Sequence, residues 1–311
     1  MVLHILDTSN YIWAGAFSKR YIDRGVRESN NEYCANEAPI GGVRFLLSQV
    51  AKLSKDDNNV IMPVFDRTPE IKRSMYQEAY GDPYGYKGNR PAKPLDINHQ
   101  KDYAEEILRD LGYPVQAVDG YEADDVIYSI VEYYKDDFEH IYIHTRDSDL
   151  SFLVSENVSI DLVGDKGKVI NMYNYNSVVE SNNDVLYNTI HLRKLCAGDT
   201  SDNIPGIGWD WAKKLDEVIP NDKYKCLGNL DIARDYIKKA VFANPTTPGA
   251  QNVLRTFNII CPLLIPADYI DDSEMEIDRS KLSYYLHDWN ASEDRWDLEE
   301  RLMNYINLYY E

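Results

Sequence analysis

The chain has 311 residues, 44% of them hydrophobic and 12% aromatic, a composition that indicates a globular fold and excludes a disordered chain. No apolar run approaches the roughly 20 residues that cross a bilayer, so no membrane association is expected. The four cysteines are scattered without CxxC spacing, and the N-terminus has neither a basic region nor a signal cleavage site. We therefore expect free thiols and a cytoplasmic location.

The net charge of −19 argues at first sight against nucleic acid as a partner. The charge is unevenly distributed, however. Residues 268–311 contain 13 acids and 4 bases, whereas residues 67–101 contain seven bases and four acids. The overall charge therefore conceals a basic segment, and nucleic-acid binding is not excluded.

Two short apolar runs near the N-terminus each end at an aspartate. Residues 2–6 precede Asp7, and residues 59–65 precede Asp66, so both runs are typical of buried parallel strands. Ligands bind at the carboxyl edge of such sheets. Asp7 alone could instead cap a helix from Tyr11 onward, but two strands that end in aspartate are poorly explained by capping.

A helix is predicted at 41–53, before the second strand. The segment after that strand, residues 67–90, is rich in basic and aromatic residues. Its cations suit phosphates and its rings suit bases, although a solvated loop rich in glycine and proline would have a similar composition. Residues 18–39 are predicted to form a loop. The residues that mark the segment 67–90 are Lys72, Arg73, Met75, Tyr76, Tyr80, Tyr84, Tyr86 and Lys87.

The stretch 121–150 carries two clusters of carboxylates. The first lies at the start of a helix predicted at 122–134, whose remainder is apolar, and the second follows a strand predicted at 141–145. Carboxylates a few ångströms apart resist joint ionisation, and a hard divalent cation such as Mg²⁺ or Mn²⁺ resolves that conflict. With a helix at 96–111 and a strand at 114–118, strands and helices alternate across 2–153. This alternation predicts an α/β fold, with a mostly parallel sheet flanked by helices. The five acids are Glu122, Asp124, Asp125, Asp147 and Asp149.

Two more acids, Asp199 and Asp202, follow a helix predicted at 185–196 and precede a Pro-Gly-x-Gly turn. Glycines at Gly206 and Gly208 would let backbone N–H groups approach a phosphate, although a structural turn has the same pattern. Further helices are predicted at 230–243 and 249–260, with an extended return at 262–266. An amphipathic helix at 296–309 suits core docking or contact with a partner.

These residues resemble the motifs of the 5′-nuclease superfamily, which includes flap endonucleases. The likeness is to stand-alone phage 5′→3′ exonucleases and to the 5′-nuclease domain of bacterial DNA polymerase I, over residues 2–265. It rests on residues 6–10, 65–66, 86–90, 122–125, 146–149 and 198–208, six motifs in the family's order.

The resemblance implies a PIN-like catalytic domain at 1–184 with a helical arch at about 67–100. It also implies a helix–three-turn–helix subdomain at 185–267, which leaves 268–311 as an acidic extension with a terminal helix. Nine acids would bind two Mg²⁺ or Mn²⁺ ions, and the Gly206–Gly208 hairpin would hold duplex phosphate with a K⁺ ion. The nine acids are Asp7, Asp66, Glu122, Asp124, Asp125, Asp147, Asp149, Asp199 and Asp202.

The resemblance also assigns basic and aromatic contacts to DNA. Lys87 and Arg90 match bases that grip the scissile phosphate, and Arg73 matches another base. Trp13 matches an aromatic that stacks on a base, and Tyr86 belongs to the same motif as Lys87. Phosphodiester hydrolysis by two metals fits the acids independently of the resemblance, and no two of the six histidines have HxH spacing.

Two departures from the family pattern are expected to weaken duplex binding. After the hairpin the chain has Trp209, Asp210 and Trp211 where the family places a small residue and a base, so only Lys213 and Lys214 restore positive charge. The acidic extension has no clear counterpart, and it would disfavour non-specific DNA or contact a basic replication partner.

We interpret the chain as a 5′ nuclease that acts, as a monomer, on DNA flaps, nicks or RNA-primer 5′ ends in replication. Its length leaves no room for a polymerase, which favours a free-standing phage or accessory bacterial enzyme in the host cytoplasm. One alternative is a catalytically silent protein that binds DNA junctions with the same fold. Another is a toxin-type ribonuclease of the PIN fold, which would lack the arch and the hairpin element.

Overall fold

Five strands form the central sheet in a computed structural model that describes residues 1–17, 41–82, 84–163, 169–173, 190–219, 229–271 and 278. The order is β2-β1-β3-β4-β5; all neighbours are parallel except β5, which is antiparallel to β4. The predicted α/β fold with a mostly parallel sheet is confirmed. The strands are β1 (Val2–Asp7), β2 (Asn59–Val64), β3 (His140–Thr145), β4 (Val158–Val163) and β5 (Val169–Tyr173).

The strand predicted at 114–118 is wrong, because only an isolated bridge joins Gln116 to Val64. Phe65 N–H donates to the Gln116 carbonyl and Gln116 N–H donates to the Pro63 carbonyl, both at 2.8 Å, so the segment runs beside β2 for one residue pair only. Strands β4 and β5 were not predicted. The pairing of β4 with β5 is irregular, because its register shifts between Leu162 and Val163 of β4.

The register of the sheet explains why its acids meet. Ile5 lies between Met62 and Ile143, and Asp7 lies opposite Val64. The inner strand β1 is apolar on both faces, so burial on both sides holds its position. The residues that follow β1, β2 and β3 therefore share the carboxyl edge of the sheet.

Helices cover both faces of the sheet, as the alternating pattern predicts. None of the helices in the described part of the chain is long and apolar enough to span a membrane. Short 3₁₀ turns lie at Ser148–Leu153 and Ala267–Tyr269, and β6 (Gly198–Asp199) pairs with β7 (Ile204–Pro205). The helices are α1 (Thr8–Ala16), α2 (Gly41–Leu53), α3 (Glu70–Tyr80), α4 (Leu95–Asp110), α5 (Ala123–Tyr134), α6 (Ile190–Ala197), α7 (Asp210–Val218), α8 (Leu230–Ala243) and α9 (Ala250–Ile260).

Two hydrophobic clusters lie on opposite faces of the sheet. One joins β1 and β2 to α1, α2 and α4 through residues such as Ile12, Leu46 and Leu108. The other joins the sheet to α5 and continues into α6–α9 through residues such as Ile127 and Phe257. The C-terminal helices thus share a core with the central sheet, which fixes their position relative to its carboxyl edge. The loop predicted at 18–39 and the helix at 296–309 lie outside the described residues.

Cys196 and Cys261 are free, buried thiols, as expected, and burial raises the pKa of each. Both side chains belong to the core cluster that joins α5 to α6–α9, so packing accounts for them. Cys34 and Cys226 lie outside the described residues.

Candidate active site

A cavity of about 1320 Å³ opens at the carboxyl edge of the sheet, where separated parts of the chain meet. Eight of the nine predicted metal-binding acids line it, and so do Trp13, Arg73, Lys87 and Arg90. Asp125 is the ninth acid and does not line the cavity. The eight acids are Asp7, Asp66, Glu122, Asp124, Asp147, Asp149, Asp199 and Asp202.

Three of these acids form an uncompensated centre. Burial, followed by the charges of Asp66 and Asp147, raises the pKa of Asp7 to about 7. Burial and the charges of Asp147, Asp7 and Glu122 raise the pKa of Asp124 well above its usual range. The pKa of Asp147 is raised in the same way, by burial and by Asp149. Mutual repulsion of buried carboxylates is the state that a bound cation would relieve.

Polar neighbours hold Asp7 and Asp66 in place. Asp7 precedes α1 in the N-cap position, but its side chain makes no capping bond; instead it accepts from Asn10 Nδ2 and from Thr145 Oγ1 at 2.9 Å. Asp66 accepts from Ser9 Oγ at 2.7 Å and from the Ala123 N–H at 3.0 Å. The capping alternative for Asp7 therefore lacks its hydrogen bond, and the two carboxylates are oriented by side chains of α1 and β3 and by the backbone at the start of α5.

Glu122 is surrounded by donors. Tyr86 Oη donates to it at 2.7 Å, Lys72 Nζ at 3.2 Å, and Lys87 Nζ also contacts it. Burial alone would raise the pKa of Glu122, but the ammonium groups of Lys72 and Lys87 hold it at about 2. Glu122 is therefore ionised over the physiological range, whereas the pKa values of the three acids of the uncompensated centre are raised.

Asp125 has a structural environment. Its side chain is fully buried, accepts from the Glu122 N–H at 3.0 Å and the Leu263 N–H at 2.8 Å, and lies 3.0 Å from Lys72 Nζ. One turn of helix α5 places it on the face of Glu122, but its oxygens are already used by donors. Asp125 therefore lies beside Glu122 but outside the cavity that the other predicted metal ligands line.

Lys194, which sequence analysis missed, forms ion pairs with two of the cavity acids, Asp149 and Asp199. Lys194 Nζ contacts Asp149 and lies 2.6 Å from Asp199 Oδ2. Burial alone would lower the pKa of Lys194, but these two carboxylates raise it. Asp202 contacts Arg90 in turn. In the sequence, the position of Lys194 on α6, five residues before Asp199, is the feature that could have indicated this ion pair.

Two further lysines have roles that composition did not reveal. Lys72 is buried on α3, whereas its neighbour Arg73, the residue that we predicted, is exposed at the cavity wall. Successive helical residues point about 100° apart, so Lys72 packs against Glu122 and Asp125 while Arg73 is exposed, although both line the cavity. Lys101 contacts the Asp66 carbonyl; burial alone would raise the pKa of Asp66, but the Lys101 charge holds it below its ordinary value.

The predicted aromatic contacts differ in accessibility. Trp13 lines the cavity and stacks on Phe17, with ring centroids 5.3 Å apart and planes at 9°. Tyr86 has only 2% of its surface exposed, because its ring packs against Tyr76 and its hydroxyl is bonded to Glu122. In this arrangement Tyr86 supports an acid and does not present its ring to DNA.

The glycine-rich hairpin lies outside the cavity. A Cβ at Gly206 would come within 2.5 Å of the Cys196 carbonyl oxygen, so close backbone packing requires this glycine. Gly208 has φ +93° and open space around it. The Ile207 and Gly208 N–H groups donate to the Leu195 and Cys196 carbonyls, so they close the end of α6 and are not directed at a phosphate.

The basic residues after the hairpin also lie outside the cavity. Lys213 is exposed on α7, and Lys214 Nζ donates to Asn244 Oδ1 at 3.1 Å. Trp209 is 61% exposed, Asp210 begins α7, and Trp211 is buried with its indole N–H directed at the Pro248 carbonyl. The carboxylate of Asp210, which we expect to repel phosphate, therefore lies on the surface.

The donor set around the cavity fits hard divalent cations, since carboxylate oxygens are the ligands that Mg²⁺ and Mn²⁺ prefer. Within the described residues, however, no three His, Cys, Asp or Glu side chains converge closely enough to hold an ion. Lysines and backbone donors already occupy the carboxylate oxygens of Glu122, Asp149 and Asp199. Cation binding at these acids would require the lysine contacts to rearrange.

Comparisons with known proteins agree with this fold. A family model described as the 5′-3′ exonuclease N-terminal resolvase-like domain matches residues 2–183. A 5′-3′ exonuclease of Aquifex aeolicus is 31% identical over 210 residues, which cover 66% of this chain and 64% of the relative. DNA polymerase I of Caldicellulosiruptor bescii is 29% identical over 256 residues, 80% of this chain and 29% of the relative. The chain thus spans less than two thirds of each of these relatives.

Solved structures with a similar course of the chain include a T5 5′-exonuclease with bound zinc. It is 18% identical, with a TM-score of 0.48, and the match covers 86% of this chain and 90% of that chain. The catalytic core of Rad2 in complex with a DNA substrate is 16% identical, with a TM-score of 0.45 and coverage of 91% and 85%.

Proposed function

The chain belongs to the family of 5′-3′ exonuclease N-terminal resolvase-like domains, and on this premise we propose that it is a divalent-metal-dependent 5′→3′ exonuclease and flap endonuclease. One observation carries the proposal: eight acids from separated segments line a single cavity together with Lys87 and Arg90. The substrates would be DNA flaps, nicks or free 5′ ends, including RNA-primed ends. Lys87 and Arg90 would bind the scissile phosphate, with Arg73 beside them.

Asp7, Asp124 and Asp147 would be the central metal ligands, with Asp66, Glu122, Asp149, Asp199 and Asp202 around them. Two bound divalent cations would supply an activated water and stabilise charge on the attacking and leaving oxygens. The chain's own residues orient these groups: Asn10 and Thr145 fix the Asp7 carboxylate, and Ser9 fixes Asp66. Trp13, at the cavity wall, would stack on a base near the cut.

The test of this function is cleavage of a labelled 5′-flap duplex by the purified chain. We expect cleavage near the flap junction in Mg²⁺ or Mn²⁺ and none in EDTA, and the product lengths would separate exonuclease from flap cutting. Tight binding of the flap duplex without cleavage in either metal would overturn the enzymatic proposal and favour a junction-binding protein of the same fold.

Stabilisation by Mg²⁺ is expected to depend on pH through Asp7. The folded pKa of about 7 exceeds the ordinary value of 3.8, so between these values the folded state holds a proton that the unfolded state lacks. Without metal, this group makes unfolding easier as pH rises through that window. Below pH 7 the cation must displace the proton, so Mg²⁺ should raise Tm more at pH 8 than at pH 6. Calorimetry would measure both shifts, and Asp7→Asn should reduce the difference. Equal shifts for the wild type at the two pH values would contradict the role of Asp7.

Duplex binding should strengthen when Asp210 is replaced by lysine. The residue is exposed in the first turn of α7, where its charge faces any phosphate held by Lys213. One new phosphate contact would steepen the slope of log Kd against log salt by about 0.9. A salt titration of Asp210→Lys against Asp231→Lys, an exposed first-turn acid of α8, measures this. Unchanged affinity for Asp210→Lys would rule out repulsion of phosphate by Asp210. A salt titration of the chain truncated after Ala267 tests the acidic extension in the same way.

A further inference from the structure

Two loops at the wall of the cavity are bonded to each other, and we name this pairing of residues 85–90 with residues 200–203 the clasp. The first loop carries Lys87 and Arg90, and the second carries Asp202. The bonds are Lys87 N–H to the Asp202 carbonyl (2.9 Å), Asn203 Nδ2 to the Gly85 carbonyl (2.8 Å), Asn89 Nδ2 to the Thr200 carbonyl (2.7 Å) and Arg90 Nε to the Ser201 carbonyl (3.0 Å).

The clasp holds two residues in an unfavourable backbone conformation. Lys87 has φ +56° and Asn203 has φ +59°, and among the described residues these are the non-glycine residues with positive φ. L-residues rarely adopt this region, and asparagine tolerates it better than lysine. Such conformations persist only where the surroundings over-determine them. The bonds between the loops are therefore what keeps Lys87 in its conformation.

Asn203 connects the clasp to the body of the protein. Its carbonyl accepts from Tyr76 Oη at 2.8 Å, and the Tyr76 ring is buried on α3. Its side-chain amide donates to the carbonyl of Gly85, itself a buried residue. One residue thus ties helix α3 and the loop that carries Lys87 to the turn that carries Asp199 and Asp202.

We propose that Asn203 is a positioning residue, which sets the distance between the phosphate-binding cations and the acids of the cavity by holding the clasp closed. Its consequence for cleavage rests on the nuclease function proposed above, but the clasp itself does not. Asn203 would act through Lys87, because the Lys87 N–H bond and the Asn203 amide bond lie side by side across the same two loops. An error of about 1 Å in such a position can cost on the order of a hundredfold in rate.

The first measurement of the clasp is hydrogen exchange of the full metal-free chain, which requires no activity. Asn203→Gly keeps a residue that accepts positive φ and removes only the side-chain bond. We expect the peptide that contains residues 85–90 to exchange about fivefold faster, the usual effect of one lost hydrogen bond, with β3 unchanged. Asn58→Gly, in the exposed turn before β2, is the matched control and should leave that peptide unchanged. Unchanged exchange at 85–90 in Asn203→Gly would overturn the clasp.

The second measurement is a double-mutant cycle on flap cleavage. Asn203→Gly should lower kcat at least about tenfold and change KM by less than about twofold, because it misplaces Lys87 without unfolding the site. In a Lys87→Ala background the same change should cost less than about twofold further. Full additivity of the two losses would overturn the positioning role. If the wild type cleaves nothing, the nuclease proposal fails while hydrogen exchange still decides whether the clasp exists.

Discussion

Replacing Asp124 with asparagine is expected to abolish cleavage of the flap duplex while leaving the metal-free protein at least as stable as the wild type. Asp124 is buried beside Asp147, Asp7 and Glu122, and their charges raise its pKa. Loss of a metal ligand should lower kcat/KM by at least about a hundredfold, since even outer partners of ligands cost 10- to 100-fold. The uncharged amide relieves the repulsion, so Tm at pH 8 should stay equal or rise by a few degrees.

Cleavage assays and thermal unfolding at pH 8 measure both expectations for Asp124→Asn. Asp235→Asn is the control, because Asp235 is an exposed acid on α8 that pairs with Lys238. It should leave cleavage unchanged. Wild-type cleavage by Asp124→Asn would contradict its assignment as a ligand, and a Tm that falls by several degrees would show that the carboxylate supports the fold instead.

Asp125, the next residue, is expected to support the fold instead of binding metal. Asp125→Asn is expected to destabilise the fold by about 3 kcal/mol, because it leaves the buried Lys72 with only one acidic partner. The Glu122 and Leu263 N–H groups would also compete for the single carbonyl oxygen that remains. Urea unfolding of the metal-free protein gives the free energy of unfolding directly.

A double variant separates the ion pair from the backbone contacts of Asp125. Lys72→Met/Asp125→Asn removes the buried cation as well, so it should recover part of the stability that Asp125→Asn loses. A loss below about 0.5 kcal/mol for Asp125→Asn would place it among ordinary surface changes and refute the structural role. If the double variant is no more stable than Asp125→Asn, the loss of stability comes from the backbone hydrogen bonds of Asp125 and not from Lys72.

The contrast between Asp124 and Asp125 shows where sequence reasoning reached its limit. The motif predicts that Glu122, Asp124 and Asp125 cluster, and helical spacing correctly places Glu122 and Asp125 on one face. That face is the one that Lys72 and the Leu263 N–H occupy. Which face of α5 meets the cavity depends on α3 and on the segment after α9, far away in the chain. Local periodicity contains no information about them.

The amino-acid sequence by itself determined the class of fold, the edge of the sheet where acids gather, and the eight acids that line the cavity. These follow from local rules: apolar runs form buried strands, and parallel strands end at the same edge. Only the tertiary structure decided the partners of those acids. Lys72, Lys101 and Lys194 lie among them, Tyr86 is interior, and Asn203 joins two distant loops. Charge pairing and burial depend on which segments meet in space, and a single sequence does not record those distances.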